Sequence, residues 1–179
     1  MAFGITGKYV GNNGKSVEFE APYSERKARI SSFPDRSIQI ICVYAHGAPG
    51  LIGDDDVDAL TRMLEKKMAS DGQVHLLGCS TAGVEGHAWN PIGGIGLLMR
   101  TIMYHGLPKM MGDDDVASKW AENLARDLSR RIPNVYVLGL GGISFPLSRV
   151  AGPLEGHEPT ALMADRFVYY NSKLTDLPN

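Results

Sequence analysis

Gln73 to Gly83 reads QVHLLGCSTAG. Val74, His75, Leu76 and Leu77 form a mostly apolar run that meets Gly78 and stops at Cys79. Ser80, Thr81, Ala82 and Gly83 follow, small and polar. A short apolar run closed by a glycine and a reactive side chain reads as a buried strand that carries the side chain to its C-terminal edge. Ile38 to Val43 has the same shape and leads into Tyr44, Ala45, His46 and Gly47. The first stretch presents a thiol and the second an imidazole.

The segments around these two strands set the fold class. Thr6–Val10 and Lys15–Glu20 flank Asn12-Asn13-Gly14, a hairpin signal. Ser24 to Ile30 reads as a short polar helix or loop, and Phe33-Pro34-Asp35 as a turn. After Ile38–Tyr44, the segment from His46 to Gly53 reads as a loop. Asp54-Asp55-Asp56 then offers caps for a helix carrying Val57, Leu60, Met63, Leu64 and Met68, which Asp71-Gly72 ends. Ser80 to Gly96 holds Gly83, Gly86, Gly93, Gly94 and Gly96, the composition of an active-site loop. Helical spacing returns over Ile92–His105 and again over Val116–Arg131, the latter opened by Asp113-Asp114-Asp115 and stopped by Pro133. Val135 to Leu140 is a third buried strand, and Gly141-Gly142 begins a further loop. Ala161–Ala164 and Arg166–Tyr170 form a last hairpin or a helix and strand, and Thr175–Asn179 a frayed tail. Strands alternating with helices between residues 38 and 140 predict an α/β fold built on a mainly parallel sheet flanked by helices. The expected organisation is one domain over 1–179, with its core at 38–140, an N-terminal hairpin and a C-terminal extension. Ligands in such sheets bind beyond the carboxyl ends of the strands, so His46, Cys79 and the Gly139–Ser144 segment are expected at one edge.

Bulk properties narrow the function. The 179 residues carry a net charge of −2, with 44% hydrophobic and 21% charged residues. No basic block exceeds three residues, so neither nucleic acid nor an anionic membrane is the indicated partner. The N-terminus lacks a Sec signal pattern and no apolar run is long enough to span a bilayer. The expected location is cytoplasmic, or outside the cell by a route that reads another address. Two cysteines, Cys42 and Cys79, make no disulfide framework, and no CxxC or HxxxH spacing points to a metal. No cofactor is expected.

The chemistry follows from a thiol beside an imidazole. A neighbouring histidine lowers a thiol's pKa, the thiolate attacks a carbonyl carbon, and the imidazolium protonates the leaving amine. Backbone N–H groups of Gly47 and Cys79 are candidate donors to the oxyanion. Cys42, inside a strand, reads as core, and His75 as a packed neighbour. His87 is the rival base. His105 and His157 read as a helix-end and a loop residue, and Trp120 and the methionines as core. The Asp triplets read as helix starts. Asp54, Asp55 and Asp56 are also placed to attract a basic substrate side chain, and Asp54, Asp55 and Ser80 are the weak substrate-binding candidates. Gly139-Leu140-Gly141-Gly142 faintly matches a nucleotide-binding turn but lacks the helix and acidic partner that should follow.

VYAHG (43–47) followed by VHLLGC (74–79) resembles the caspase–legumain–gingipain group of cysteine peptidases, clan CD. The Leu-Leu-Gly-Cys form looks most like the autoprocessing cysteine protease domains of large bacterial toxins. The resemblance covers roughly 38–140. It implies a caspase-like three-layer α/β sandwich and a thiol protease acting on protein or peptide, in the manner of a bacterial effector or toxin. His46 would be the general acid/base, Gly47 an oxyanion donor and Cys79 the nucleophile. Two other readings compete. Cys79 with the later His87 looks like the glutamine deamidase toxins, although Leu77 stands where their serine precedes the glycine. A non-enzymatic Rossmann-like binding module would use the glycine loops as a ligand rim.

Overall fold

The structure is a computed structural model and describes residues 3–48, 50–79, 81–83, 122–143 and 163–178. Its centre is one mixed sheet of seven strands. The strands are β1 (Gly4–Val10), β2 (Ser16–Pro22), β3 (Ile38–Tyr44), β6 (Met68–Leu76), β7 (Val135–Ile143), β8 (Met163–Tyr170) and β9 (Lys173–Thr175). A separate two-stranded hairpin joins β4 (Gly47–Ala48) to β5 (Leu51–Ile52). Three α-helices are described: α1 (Arg26–Ser31), α2 (Val57–Leu64) and α3 (Leu124–Arg131). Across the large sheet the order is β2-β1-β3-β6-β7-β8-β9. Only the central strands β3, β6 and β7 run parallel; antiparallel hairpins extend the sheet at both ends.

The parallel strands advance in one direction across the sheet. Right-handed crossovers then put both connecting helices on one face, and α2 does lie against α3 and against α1. Beneath them sits the main core. Ile41 and Val43 of β3, Val74 and Leu76 of β6, and Val135 and Val137 of β7 meet Leu60 and Leu64 of α2 and Leu124 and Leu128 of α3. The alternate residues of the same strands face the other way. Cys42, Leu138 and Leu140 join Leu77 and Val168 in a second apolar cluster. A sheet apolar on both faces at its centre is the signature of parallel strands covered on both sides.

Local chemistry explains the boundaries. Asp56, in an extended conformation, accepts a hydrogen bond from the Ala59 N–H at 2.7 Å and so caps α2. Asn123 does the same for α3 through the Arg126 N–H, and its amide also donates to the Tyr169 hydroxyl. This extended cap corrects the expected continuous helix Val116–Arg131: the described helix starts at Leu124, and 116–121 lie outside the described residues. The helix expected to run through Met68 to Asp71-Gly72 stops at Leu64. Met68 begins β6 instead, fully buried, and Asp71 adopts φ 59° inside a break in the β3–β6 register. The turn signal is real, but it makes a bulge in a strand rather than a helix end. Gly141-Gly142 likewise belongs to β7, paired with Asp165 and Ala164, so it opens no loop and no nucleotide-binding turn. The last hairpin is β8–β9, turning at Asn171-Ser172. Thr175 closes β9, and Leu177 packs on the second cluster rather than fraying away from it. Ile92–His105, the glycine-rich segment after Gly83, Asp113-Asp114-Asp115, Trp120, His87, His105 and His157 lie outside the described residues.

A buried ion pair ties the helical layer to the loop after β3. Asp55 is 1% exposed and its carboxylate is held by the guanidinium of Arg26, through Nε and through NH2 at 2.8 Å. The Tyr23 hydroxyl donates to the Ile52 carbonyl at 2.6 Å and shares its proton with Asp55 Oδ2 at 2.9 Å. Burial alone would raise the Asp55 carboxyl, but hydrogen bonds and charge from Arg26, with the Tyr23 hydroxyl, hold it below the ordinary carboxylate value. Replacing one partner of such a pair strands the other charge. Asp55→Asn is therefore expected to cost roughly 3–5 kcal/mol in urea unfolding. Because the folded carboxyl is depressed, its contribution is complete above the unfolded value of about 4 and is lost as pH falls through the lower folded value. The acid limb of the stability profile should flatten in Asp55→Asn, and an unchanged limb would refute this assignment.

Candidate active site

The two strand ends picked out by sequence lie side by side. Ile41 pairs with Val74, Cys42 with His75 and Val43 with Leu76, each separated by 33 residues. His46 and Cys79 have the same separation, and each follows the end of its paired strand. The ladder does continue: the Leu77 N–H donates to the Val43 carbonyl at 2.9 Å. Beyond it the two backbones touch. A Cβ on Gly47 would stand 2.5 Å from the Cys79 carbonyl oxygen and 2.6 Å from the Gly78 carbonyl carbon. A Cβ on Gly78 would stand 2.9 Å from the Gly47 Cα. Both contacts are closer than real Cβ atoms allow, so glycine is required on both sides of the junction. The open side of the Gly47 Cα is filled by the neighbouring strand end.

His46 is exposed, and its ring packs against Phe3 with centroids 4.6 Å apart. Its carbonyl accepts from the Gly53 N–H at 2.6 Å, which makes Gly47–Ile52 a non-hydrogen-bonded pair of the β4–β5 hairpin. The hairpin therefore makes no use of the Gly47 N–H. Among the described residues no carboxylate is paired with the His46 ring. Cys79 is half-buried and in no disulfide. Thus Cys79, His46 and Gly47 follow the C-terminal ends of two neighbouring strands.

Thr81 holds the turn after Cys79. It is fully buried, donates from its hydroxyl to the Leu76 carbonyl at 2.9 Å and the Gly78 carbonyl at 3.2 Å, and accepts from the Leu140 N–H at 3.0 Å. Ala82 N–H donates to the Leu140 carbonyl, and the Thr81 carbonyl receives the Ala125 N–H of α3. One side chain thus joins the end of β6 to β7, while its backbone reaches α3. The sequence places Thr81 only in a polar tail. Its role depends on partners 59 positions away in the chain, which local pattern does not reveal.

The remaining candidates separate. Asp55 is committed to Arg26, which removes it from substrate binding; Asp56 caps α2; Asp54 is exposed. Ser80 lies outside the described residues. His75 is half-buried on β6, with Nε2 3.0 Å from the Gln73 side-chain oxygen. Cys42 is core, and burial pushes its thiol up to about 12 against weaker hydrogen bonding from Thr6 and Tyr44. Among the described residues no group of three or more His, Cys, Asp or Glu side chains is arranged to hold a metal, and no helix is long and apolar enough to cross a membrane.

Two outcomes test this geometry. Brief iodoacetamide treatment of the native chain should modify Cys79 and spare Cys42 in peptide mass mapping, with both reacting once it is denatured; equal native labelling would contradict the burial of Cys42. Thr81→Val strands the buried Leu140 N–H and should cost about 2 kcal/mol, with faster hydrogen exchange at the Leu140 amide, while Thr81→Ser retains most of both. Comparison with family models, with curated proteins and with solved structures gives no match.

Proposed function

We propose that this chain is a cysteine peptidase of the caspase-like type, with Cys79 as nucleophile and His46 as general acid/base. The observation that supports the reading is that His46 and Cys79 follow the ends of two neighbouring parallel strands whose backbones touch at Gly47 and Gly78. His46 draws the proton from the Cys79 thiol, and the thiolate attacks the carbonyl carbon of a peptide bond. The oxyanion takes hydrogen bonds from the Gly47 and Cys79 N–H groups. As the C–N bond breaks, the imidazolium gives its proton to the leaving amine and a thioester remains on Cys79. His46 then takes a proton from water, whose oxygen attacks the thioester, releasing the acid and restoring the thiol.

The full three-layer sandwich belongs to the same proposal. The second apolar cluster, Cys42, Leu77, Leu138, Leu140 and Val168, needs cover on the face away from α1, α2 and α3, and a second helical layer is what a caspase-like fold would put there. Protein or peptide is the substrate in this reading. The antiparallel extension of β7 along β8 past the end of β6 supplies an extended wall beside the site.

An acyloxymethyl ketone peptide probe tests the assignment. Wild type should be labelled and should cleave a peptide library. Cys79→Ala should abolish both, and His46→Ala should slow both by on the order of 10²–10⁴-fold. Labelling that survives His46→Ala but needs His87, with one-dalton gains at glutamine and no chain scission, would replace the peptidase with an amide hydrolase.

A further inference from the structure

We infer that Glu122 is a recognition residue for a basic side chain next to the scissile bond; the inference rests on the peptidase reading of the Cys79–His46 edge. Glu122 precedes the cap of α3 and bridges the two loops that leave the site. Its side chain lies along Gly50, at the tip of the hairpin after His46-Gly47: a Cβ on Gly50 would fall 1.9 Å from Glu122 Oε2 and 3.3 Å from its Cβ. Its backbone lies on Gly83, in the turn after Cys79, where a Cβ would stand 2.7 Å from the Glu122 carbonyl oxygen. Gly50 has φ +78° and takes its place only without a side chain. Gly50 lies four positions after His46 and Gly83 four positions after Cys79, so chain reach keeps each within roughly 14 Å of its member of the candidate dyad.

The charge is available. Glu122 is exposed, and among the described residues no cation or hydrogen-bond donor pairs with its carboxylate. Arg26 and Lys27, the cations tied to the same loop, are engaged with Asp55. Asp54, exposed in the turn after β5, adds charge of the same sign. A peptide with arginine or lysine at this position gains a charge-assisted bond, bidentate for arginine, and an acidic residue is repelled. A purely structural role, an acid at the positive end of α3, would change stability and leave substrate choice alone.

Selectivity is the deciding measurement. The full chain would be assayed on matched fluorogenic peptides with Arg, Lys, Leu or Asp before the reporter. Arg and Lys substrates should be cleaved fastest. Glu122→Gln should lower kcat/KM for them by about tenfold while changing the Leu substrate by less than about twofold, and Glu122→Lys should move the preference toward Asp. Cleavage that needs Cys79 and His46 yet favours Leu or Asp in wild type, or falls equally on all substrates in Glu122→Gln, overturns the role of Glu122 alone. No cleavage of any substrate, with equal Cys79 labelling in wild type and His46→Ala, overturns the peptidase reading and this inference with it.

Discussion

The parallel pairing of β3 with β6 is the constraint on which the rest depends. A sheet residue's direction alternates with position, so a slip of one residue would turn every side chain to the opposite face. Here such a slip would bring Cys42 and Ile40 into the helix-covered core and send Ile41 and Val43 out of it. It would also shift the chain leading to Cys79 against the chain leading to His46. Core burial and the relative position of the two strand ends are therefore fixed by one register. Gly47 and Gly78 narrow it further, because their backbones meet too closely for a Cβ on either.

What stabilises the edge differs on its two sides. The histidine side is anchored by charge: Arg26 reaches Asp55, and Tyr23 reaches both Asp55 and the carbonyl of Ile52. The cysteine side is anchored by a neutral hydroxyl, Thr81, with three backbone partners. A neutral bond contributes about 1 kcal/mol net and a buried ion pair has desolvation to overcome. Both anchors matter chiefly through what their loss would leave unpaired. They hold the backbone beneath them, leaving the imidazole exposed and the thiol half-buried.

Strands that bury their side chains were legible because composition alone marks them: IQIICVY became β3 and VYVLGL the body of β7. The N-terminal hairpin was legible from Asn-Asn-Gly between alternating runs. Helix ends were not. Met68 continues the apolar spacing of α2 yet starts a strand, because burial in the common core satisfies either period. Asn123 was hidden in a run of good helix formers, and only its extended backbone and its bonds to Arg126 and Tyr169 reveal the cap. At the edge, His46 and Cys79 could be paired from strand endings, but the fate of Asp55 could not, since its partner Arg26 lies 29 residues away. Glu122 carried no pattern at all. Its position follows from two glycines distant in sequence.

Phe3 lies one residue before β1 and rests its ring on the His46 imidazole, while its carbonyl accepts the Tyr23 N–H. The chain thus enters the fold at the sheet edge that carries His46. A segment fused at the N-terminal side is tethered to Phe3, and so meets the imidazole at an effective concentration set by the tether rather than by the solution. Attachments at the two ends of this chain are therefore not equivalent. One placed in front becomes part of the surroundings of His46, whereas one placed behind departs from the far side of the sheet, past β9 and Leu177.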